Sequence, residues 1–360
     1  LAFTIHPAVS VTVLSAVGIS SADCKQGRDD VEANSVRYAE NSAGCNHSSE
    51  SSANIRLWDS EEQCPRKELI ENVKDCDGII CTVVDNIDTE VLNAAGKNLK
   101  AVSTVSVGVV HINTTECSKR GIQVLNTPDV ASDSAAEFTV ALTLVTARRL
   151  IEGLDAVTTG LWGPWRPMWL CGTEMSGRTI GIMGFGRVGF GVARRLKAFG
   201  VGKIIYHDLF SVGYAEQVEA QLVAFDELLK KSDILIITVA ATAKTIKIFN
   251  KDSFAKMKNG AIFINISRGV IVDHDALAVA ITKGKIQRAG LDVTDPEPLP
   301  SNHPLMNNRK VIITPHLGTN TWDTRKNMSI AAVDNLLHAL GEAGQGSKKK
   351  AASSSGFLCC

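Results

Sequence analysis

The stretch TIGIMGFGRVGFGVARRLKAFG at 179–200 constrains this chain more than any other. A β-branched run ends at Met183, passes through Gly184-x-Gly186-x-x-Gly189 and leaves as an amphipathic helix. Strand, glycine turn and helix in this order form the start of a βαβ unit that holds a pyrophosphate. The first glycine permits the tight turn, the second admits the phosphates to backbone N–H groups, and the third lets helix and strand pack closely. The helix N-terminus adds partial positive charge. The plain alternative is a structural glycine turn, and the flanking strand and helix argue against it.

A dinucleotide site also needs an acid after the next strand. KIIYHDLF at 203–210 supplies Asp208, and 208 − 189 places it 19 residues beyond the last glycine, against an expected spacing of about 20. A carboxylate there accepts from the ribose hydroxyls and repels a 2′-phosphate. The following LFSVG holds no Arg or Lys to offset it, so the electrostatics favour NAD(H) over NADP(H).

The rest of the chain has the same alternating pattern. Strands are predicted at 78–84, 99–105, 122–126, 179–183, 203–206, 234–239, 261–266, 286–291 and 310–314, most separated by helical segments. Apolar β-branched strands alternating with helices mean parallel sheets covered on both faces. A long helix is predicted at 132–150, its apolar positions wrapping most of the way round, which suggests burial on several sides and a subunit contact. A loop with three tryptophans follows at 159–172, and a last helix at 322–341.

Residues 1–53 read differently. AVSVTVLSAVGI (8–19) is apolar, ENSAGCNHSSESSAN (40–54) is Ser/Asn-rich, and the segment is expected to be mostly unstructured. The former lacks the basic flank of a secretory signal. The Lys-rich tail 345–360 is expected to be disordered; its Cys-Cys end is not a CaaX box.

Charge excludes some classes. Lys+Arg and Asp+Glu are both 38, so no global field draws nucleic acid or an anionic membrane. No apolar run reaches the roughly 20 residues needed to span a bilayer. Nine scattered cysteines, without C-x-x-C or zinc spacing, read as free thiols in a reducing cytoplasm, with no metal site.

In open α/β sheets ligands bind beyond the carboxyl ends of the strands. Strand 261–266 delivers Arg268 there, strand 286–291 delivers Asp292 and then Glu297, and strand 310–314 delivers His316. Taken singly, Glu297 reads as a turn residue and His316 as a strand cap. Together, beside a nucleotide site, they form a working set. Hydride transfer to a ketone builds negative charge on oxygen, and an imidazolium can donate to it. A neighbouring carboxylate stabilises that imidazolium, the role open to Glu297. A guanidinium fork suits a substrate carboxylate, the role open to Arg268. The set fits reduction of an α-keto acid.

On GFGRVG, INISRGVIVDHDAL, AGLDVTDPEPLP and TPHLG, the chain resembles the D-isomer-specific 2-hydroxyacid dehydrogenase family from about Asn54 to Gly344. The resemblance implies a Rossmann-type doubly wound nucleotide domain, about 128–315, inserted in a smaller flavodoxin-like α/β substrate domain, 54–127 plus 316–344. It implies reduction of small 2-keto acids such as glyoxylate and hydroxypyruvate, with Arg268 as substrate anchor, Glu297 paired with His316, and His316 as acid/base. The backbone of Val107 and Gly108 would hold the carboxylate from the other domain. Gly186, Arg187 and Val188 would line the pyrophosphate, and Ala240, Ile266, Asp292 and Gly318 the remaining cofactor. The family works as a homodimer through the long helix and following arm, with Trp165 able to reach the neighbouring site and limit substrate size.

Three departures stand out. Residues 1–53 do not look like the βα unit with which the family begins. Val110 sits where members often carry Asp. Asp208 differs from the neutral residue plus arginine of NADP-preferring members, although the resemblance leaves NADP(H) possible. Two other readings compete: an NAD(H)-sensing corepressor-like protein of the same fold, and, less well supported, a methyltransferase.

Overall fold

The computed structural model describes residues 10–13, 54–58, 60 and 62–344. The expectations for 1–9, 14–53 and the tail 345–360 lie outside the described residues. The chain divides into two compact units. One is formed by the chain up to Ala131 with the chain from Thr321 onward; the other is Ser132–Asn320. The divisions fall a few residues beyond the expected 127/128 and 315/316, so His316 shares a unit with Arg268 and Glu297.

In the first unit, β1 (Ser10–Val13), β2 (Asn54–Leu57), β3 (Gly78–Cys81), β4 (Ala101–Thr104) and β5 (Gln123–Leu125) form a parallel sheet in the order β2-β1-β3-β4-β5. This is the flavodoxin-like order. The reading of the N-terminal segment is corrected here: SVTV is an interior strand, paired on both sides. Val11 and Thr12 are buried, and the Thr12 hydroxyl donates to the Asn72 carbonyl at 2.7 Å. An interior strand of a parallel sheet needs apolar residues in succession, the property that obscured it.

Helices α1 (Arg66–Asn72), α2 (Thr89–Ala95) and α3 (Thr114–Arg120) connect these strands. Asp88 starts α2 by accepting from the Glu90 and Val91 amides. The closing helix, Trp322–Gly344, covers the sheet with Met328, Ala332 and Leu336 against Val11, Ile80, Ala101 and Val105. Its approach is close: a Cβ at Gly78 would lie 2.9 Å from Leu336.

The second unit begins with α4 (Ser132–Ala147) and α5 (Leu150–Thr158). The predicted helix 132–150 breaks at Arg149, whose φ of 58° is left-handed. The burial of α4 is internal to its unit: a Cβ at Gly191 would lie 2.9 Å from Ala136, and one at Gly290 2.5 Å from Thr146. The exposed apolar face belongs to α5 instead, where Leu150, Ile151, Leu154 and Val157 are 42–55% exposed.

The sheet comprises β6 (Thr179–Met183), β7 (Lys203–His207), β8 (Ala220–Leu222), β9 (Ile234–Ile237), β10 (Ala261–Asn265), β11 (Ile286–Leu291) and β12 (Val311–Ile313), all parallel. Helices α6 (Arg187–Lys197), α7 (Phe225–Lys231), α8 (Lys251–Lys256) and α9 (His274–Thr282) complete it. The order β12-β11-β10-β9-β6-β7-β8 reverses direction at β6, the doubly wound arrangement expected. The short β8 was not anticipated. Among the described residues, no helix is long and apolar enough to cross a membrane.

Candidate active site

The direction reversal at β6 falls between the ends of β6 and β9, the ligand position in such sheets. Gly184 turns there with φ 89°, and a Cβ on it would lie 2.5 Å from Val239 Cα. Around Gly186 nothing lies within 4 Å of an added Cβ, and no side chain caps α6. The backbone is therefore open to a bulky anion at the helix N-terminus. Asp208, at the end of β7, accepts from the Phe185 amide and its own neighbour Leu209, both at 2.6 Å. These bonds tie the acid to the glycine turn. Tyr214 secures the turn from below, donating to the Phe185 carbonyl at 2.8 Å. The residues present thus fit a dinucleotide.

Arg268 follows β10 in extended conformation. Buried Asn265 holds its turn: the side-chain amide donates to the Arg268 carbonyl at 3.1 Å and its oxygen accepts from the Ser267 amide at 3.0 Å. Ser267 itself donates to the Val239 carbonyl. Burial pushes the Arg268 guanidinium below its ordinary pKa, and Glu297 acts in the opposite sense.

Glu297 lies in the loop after β11. Its carboxylate accepts from the Thr294 amide at 3.0 Å and from His316 Nδ1 at 3.2 Å. Burial alone would raise its pKa, but those two bonds and the nearby charges of His316 and Arg268 outweigh it and hold the carboxyl below the usual range. The Arg268 and Glu297 turns interlock: a Cβ at Gly269 would run into the Thr294 carbonyl group.

His316 has a left-handed backbone, φ 57°, costly for a residue with a Cβ. Asp292, 1% exposed, compensates. Its Oδ1 accepts from the Thr314 hydroxyl and the Leu317 amide, both at 2.7 Å, and its Oδ2 from the Gly318 amide at 2.9 Å. Its carbonyl accepts from the His316 amide at 3.0 Å. Burial raises the Asp292 carboxyl against these bonds. Expected beside the nicotinamide, Asp292 has its carboxylate committed to the turn that presents His316.

Strand ends in the second unit thus bring together Gly184, Gly186, Arg187, Val188, Gly189, Asp208, Ala240, Ile266, Arg268, Asp292, Glu297, His316 and Gly318 along one sheet edge. Val107 and Gly108 lie in the first unit, after β4; the Val107 carbonyl accepts from Asn126 and the Gly108 carbonyl from Ser106. Trp165 is 84% exposed in the 159–172 segment. Sequence reasoning missed Asn265, Thr294 and Thr314. Each is a polar residue at or just past a strand end, a signal readable once the strands are placed.

The fold and site define a two-unit, nicotinamide-dependent oxidoreductase. Residues 140–318 match the NAD binding domain of the D-isomer specific 2-hydroxyacid dehydrogenases. The chain is 46% identical over 287 residues to human glyoxylate reductase/hydroxypyruvate reductase, covering 79% of this chain and 88% of that one. It is 44% identical over 278 residues to the glyoxylate reductase of Thermofilum pendens, covering 76% and 81%. A crystal structure of a Thermus thermophilus protein superposes with TM-score 0.80 at 34% identity, over 93% of this chain and 97% of that one. The chain belongs to the D-isomer specific 2-hydroxyacid dehydrogenase family.

Proposed function

We propose that the protein reduces glyoxylate and hydroxypyruvate to glycolate and D-glycerate. The observation that carries this reading is the 3.2 Å pairing of His316 with Glu297 on the sheet edge that also bears Arg268 and the glycine cradle. The similarity to reductases of those two acids supports the substrate class. A bound nicotinamide supplies the hydride. Arg268 holds the substrate carboxylate and polarises the adjacent carbonyl. His316, donating from the nitrogen not engaged by Glu297, delivers the proton as the alkoxide forms. Glu297, kept anionic, offsets the imidazolium and fixes the ring's direction. The roles of Val107, Gly108 and Trp165 in gripping the carboxylate and limiting substrate size rest on the family resemblance.

Asp208 supports a preference for NAD(H): its oxygens would accept from the ribose hydroxyls of NADH and repel the extra phosphate of NADPH. A homodimer is supported by the apolar run through α5 and beyond, with Leu161, Trp162, Trp165 and Met168 62–84% exposed. Among the described residues, the buried cysteines Cys64, Cys76, Cys81 and Cys117 are free thiols, which suits a cytoplasmic setting. The experiment is steady-state kinetics at 340 nm over a panel of 2-keto acids with NADH and NADPH. Turnover of glyoxylate and hydroxypyruvate with higher kcat/KM for NADH is expected. Intact NADH binding without turnover would replace the reductase by a nucleotide sensor, and a strong NADPH preference would overturn the role of Asp208.

A further inference from the structure

Away from the catalytic edge, a cavity of about 270 Å³ opens between α5, β11 and β12. It is lined by Arg149, Glu152, Arg288 and the exposed Arg309. Arg288 is 8% exposed, and its Nη1 pairs with Glu152 Oε1 at 2.5 Å. That carboxylate is already shared, because Arg149 reaches Oε1 with Nε at 3.2 Å and Oε2 with Nη2 at 2.5 Å. Among the described residues the Arg288 guanidinium has no other hydrogen-bond or ion-pair partner. Asp155, one turn further along α5 and also lining the cavity, pairs with neither arginine.

Two guanidinium groups therefore share one carboxylate. A guanidinium offers five N–H donors in a planar fork. A nearly buried one with a single shared acceptor has further N–H donors that are open to the cavity and not sealed from solvent, and an anion can take them up. The volume lies below the roughly 300–1,000 Å³ typical of drug-sized ligands, so it suits a small group. We infer that this cavity is a binding site for a small oxyanion, a phosphate or carboxylate group held between Arg288 and Arg149 with Arg309 also lining it. It is separate from the catalytic edge: Arg288 lies within β11 and Asp292 just past its end, four residues on, about 13 Å at strand rise.

The test is calorimetric titration of inorganic phosphate, and separately of acetate, into the full chain saturated with NADH, which keeps the anion off the glycine cradle. Beyond any anion held at Arg268, which the Arg288 variant leaves unchanged, one equivalent of phosphate or acetate binds the wild type, and the tighter of the two identifies the group. Arg288→Met weakens binding roughly tenfold or more, about 1.4 kcal/mol per decade. Glu152→Gln tightens it, because the competing carboxylate is gone; a purely structural salt bridge predicts no such gain. If Arg288→Met does not fold, Glu152→Gln and Arg309→Ala, the latter with a smaller loss, still decide. No binding by either anion, or affinity unchanged in all three variants, overturns the site. Glyoxylate reduction by the variants is read separately, so that outcome leaves the catalytic assignment standing.

Discussion

Two acids in this molecule begin from the same local design and end with different properties. Asp85 follows β3 in the first unit and accepts from the Thr82 amide at 2.7 Å; Glu297 follows β11 in the second and accepts from the Thr294 amide at 3.0 Å. Each is a Thr-x-x-acid loop past a strand end. Asp85 is fully buried, its Oδ1 has no partner, and burial raises its carboxyl against the two bonds from Thr82. Its surroundings include the thiols of Cys64 and Cys81, and Cys64 is itself pushed up to about 11, first by burial and then by Asp85. Glu297 is half-exposed and receives His316 from another strand end. The loop sets where an acid sits; a cationic partner from a different strand decides whether it works.

Removing the charge from Glu297 should have the largest effect. Glu297→Gln keeps a hydrogen-bonding oxygen but loses the counter-charge to the imidazolium, so kcat should fall about 10²-fold, within the range ascribed to general acid–base groups. A kcat within twofold of wild type would reduce Glu297 to the status of Asp85. Its lowered carboxyl also fixes a sign. It stabilises the fold above its ordinary value of 4.5, and that contribution disappears as pH falls through the lower folded value.

Asp292→Asn comes next. The amide cannot accept from the Thr314 hydroxyl and both turn amides, so stability should drop by roughly 1–3 kcal/mol. With His316 held less firmly in its left-handed conformation, kcat should fall while NADH affinity, read by fluorescence, changes little. A stability loss with unchanged kcat would make Asp292 a structural acid only.

Asp85→Asn should have the smallest effect, about 1 kcal/mol or less on stability and nothing on kcat or KM. The sign with pH is opposite to that of Glu297. Because its folded pKa is raised from 3.8, ionisation disfavours the native state. Wild type should therefore lose stability relative to the variant as pH rises through the carboxylate range, measured as Tm between pH 3 and 8. A gap that widens in the other direction would break the contrast.

Much of the second unit was legible because its sequence obeys one period at a time. Strands 179–183 and 286–291 came out at their observed limits, each a short apolar run with turn residues or charge at its ends. Arg268, Glu297 and His316 were found by asking what each strand end delivers, which requires only that the strands be parallel. Three features were harder. β8 is three residues, AQL, with nothing in its pattern to separate it from a loop. α5 was hidden because one helix was predicted to run through 150 and stop there, when Arg149 is a hinge into a second helix. The role of Asp292 could not be read from spacing, because a carboxylate facing a cofactor and one gathering backbone amides look alike in a sequence.

The place of β1 bears on how this chain can be handled. Ser10–Val13 lies between β2 and β3, so a clone trimmed to begin at Asn54 would not shave a margin from the five-stranded layer. It would cut the layer in two, taking from β2 the strand it pairs with and leaving one flank of β3 bare. Such a shortened clone should be recovered from expression as insoluble material, while the nucleotide-handling half, whose strands all come after residue 178, would keep every ladder it has.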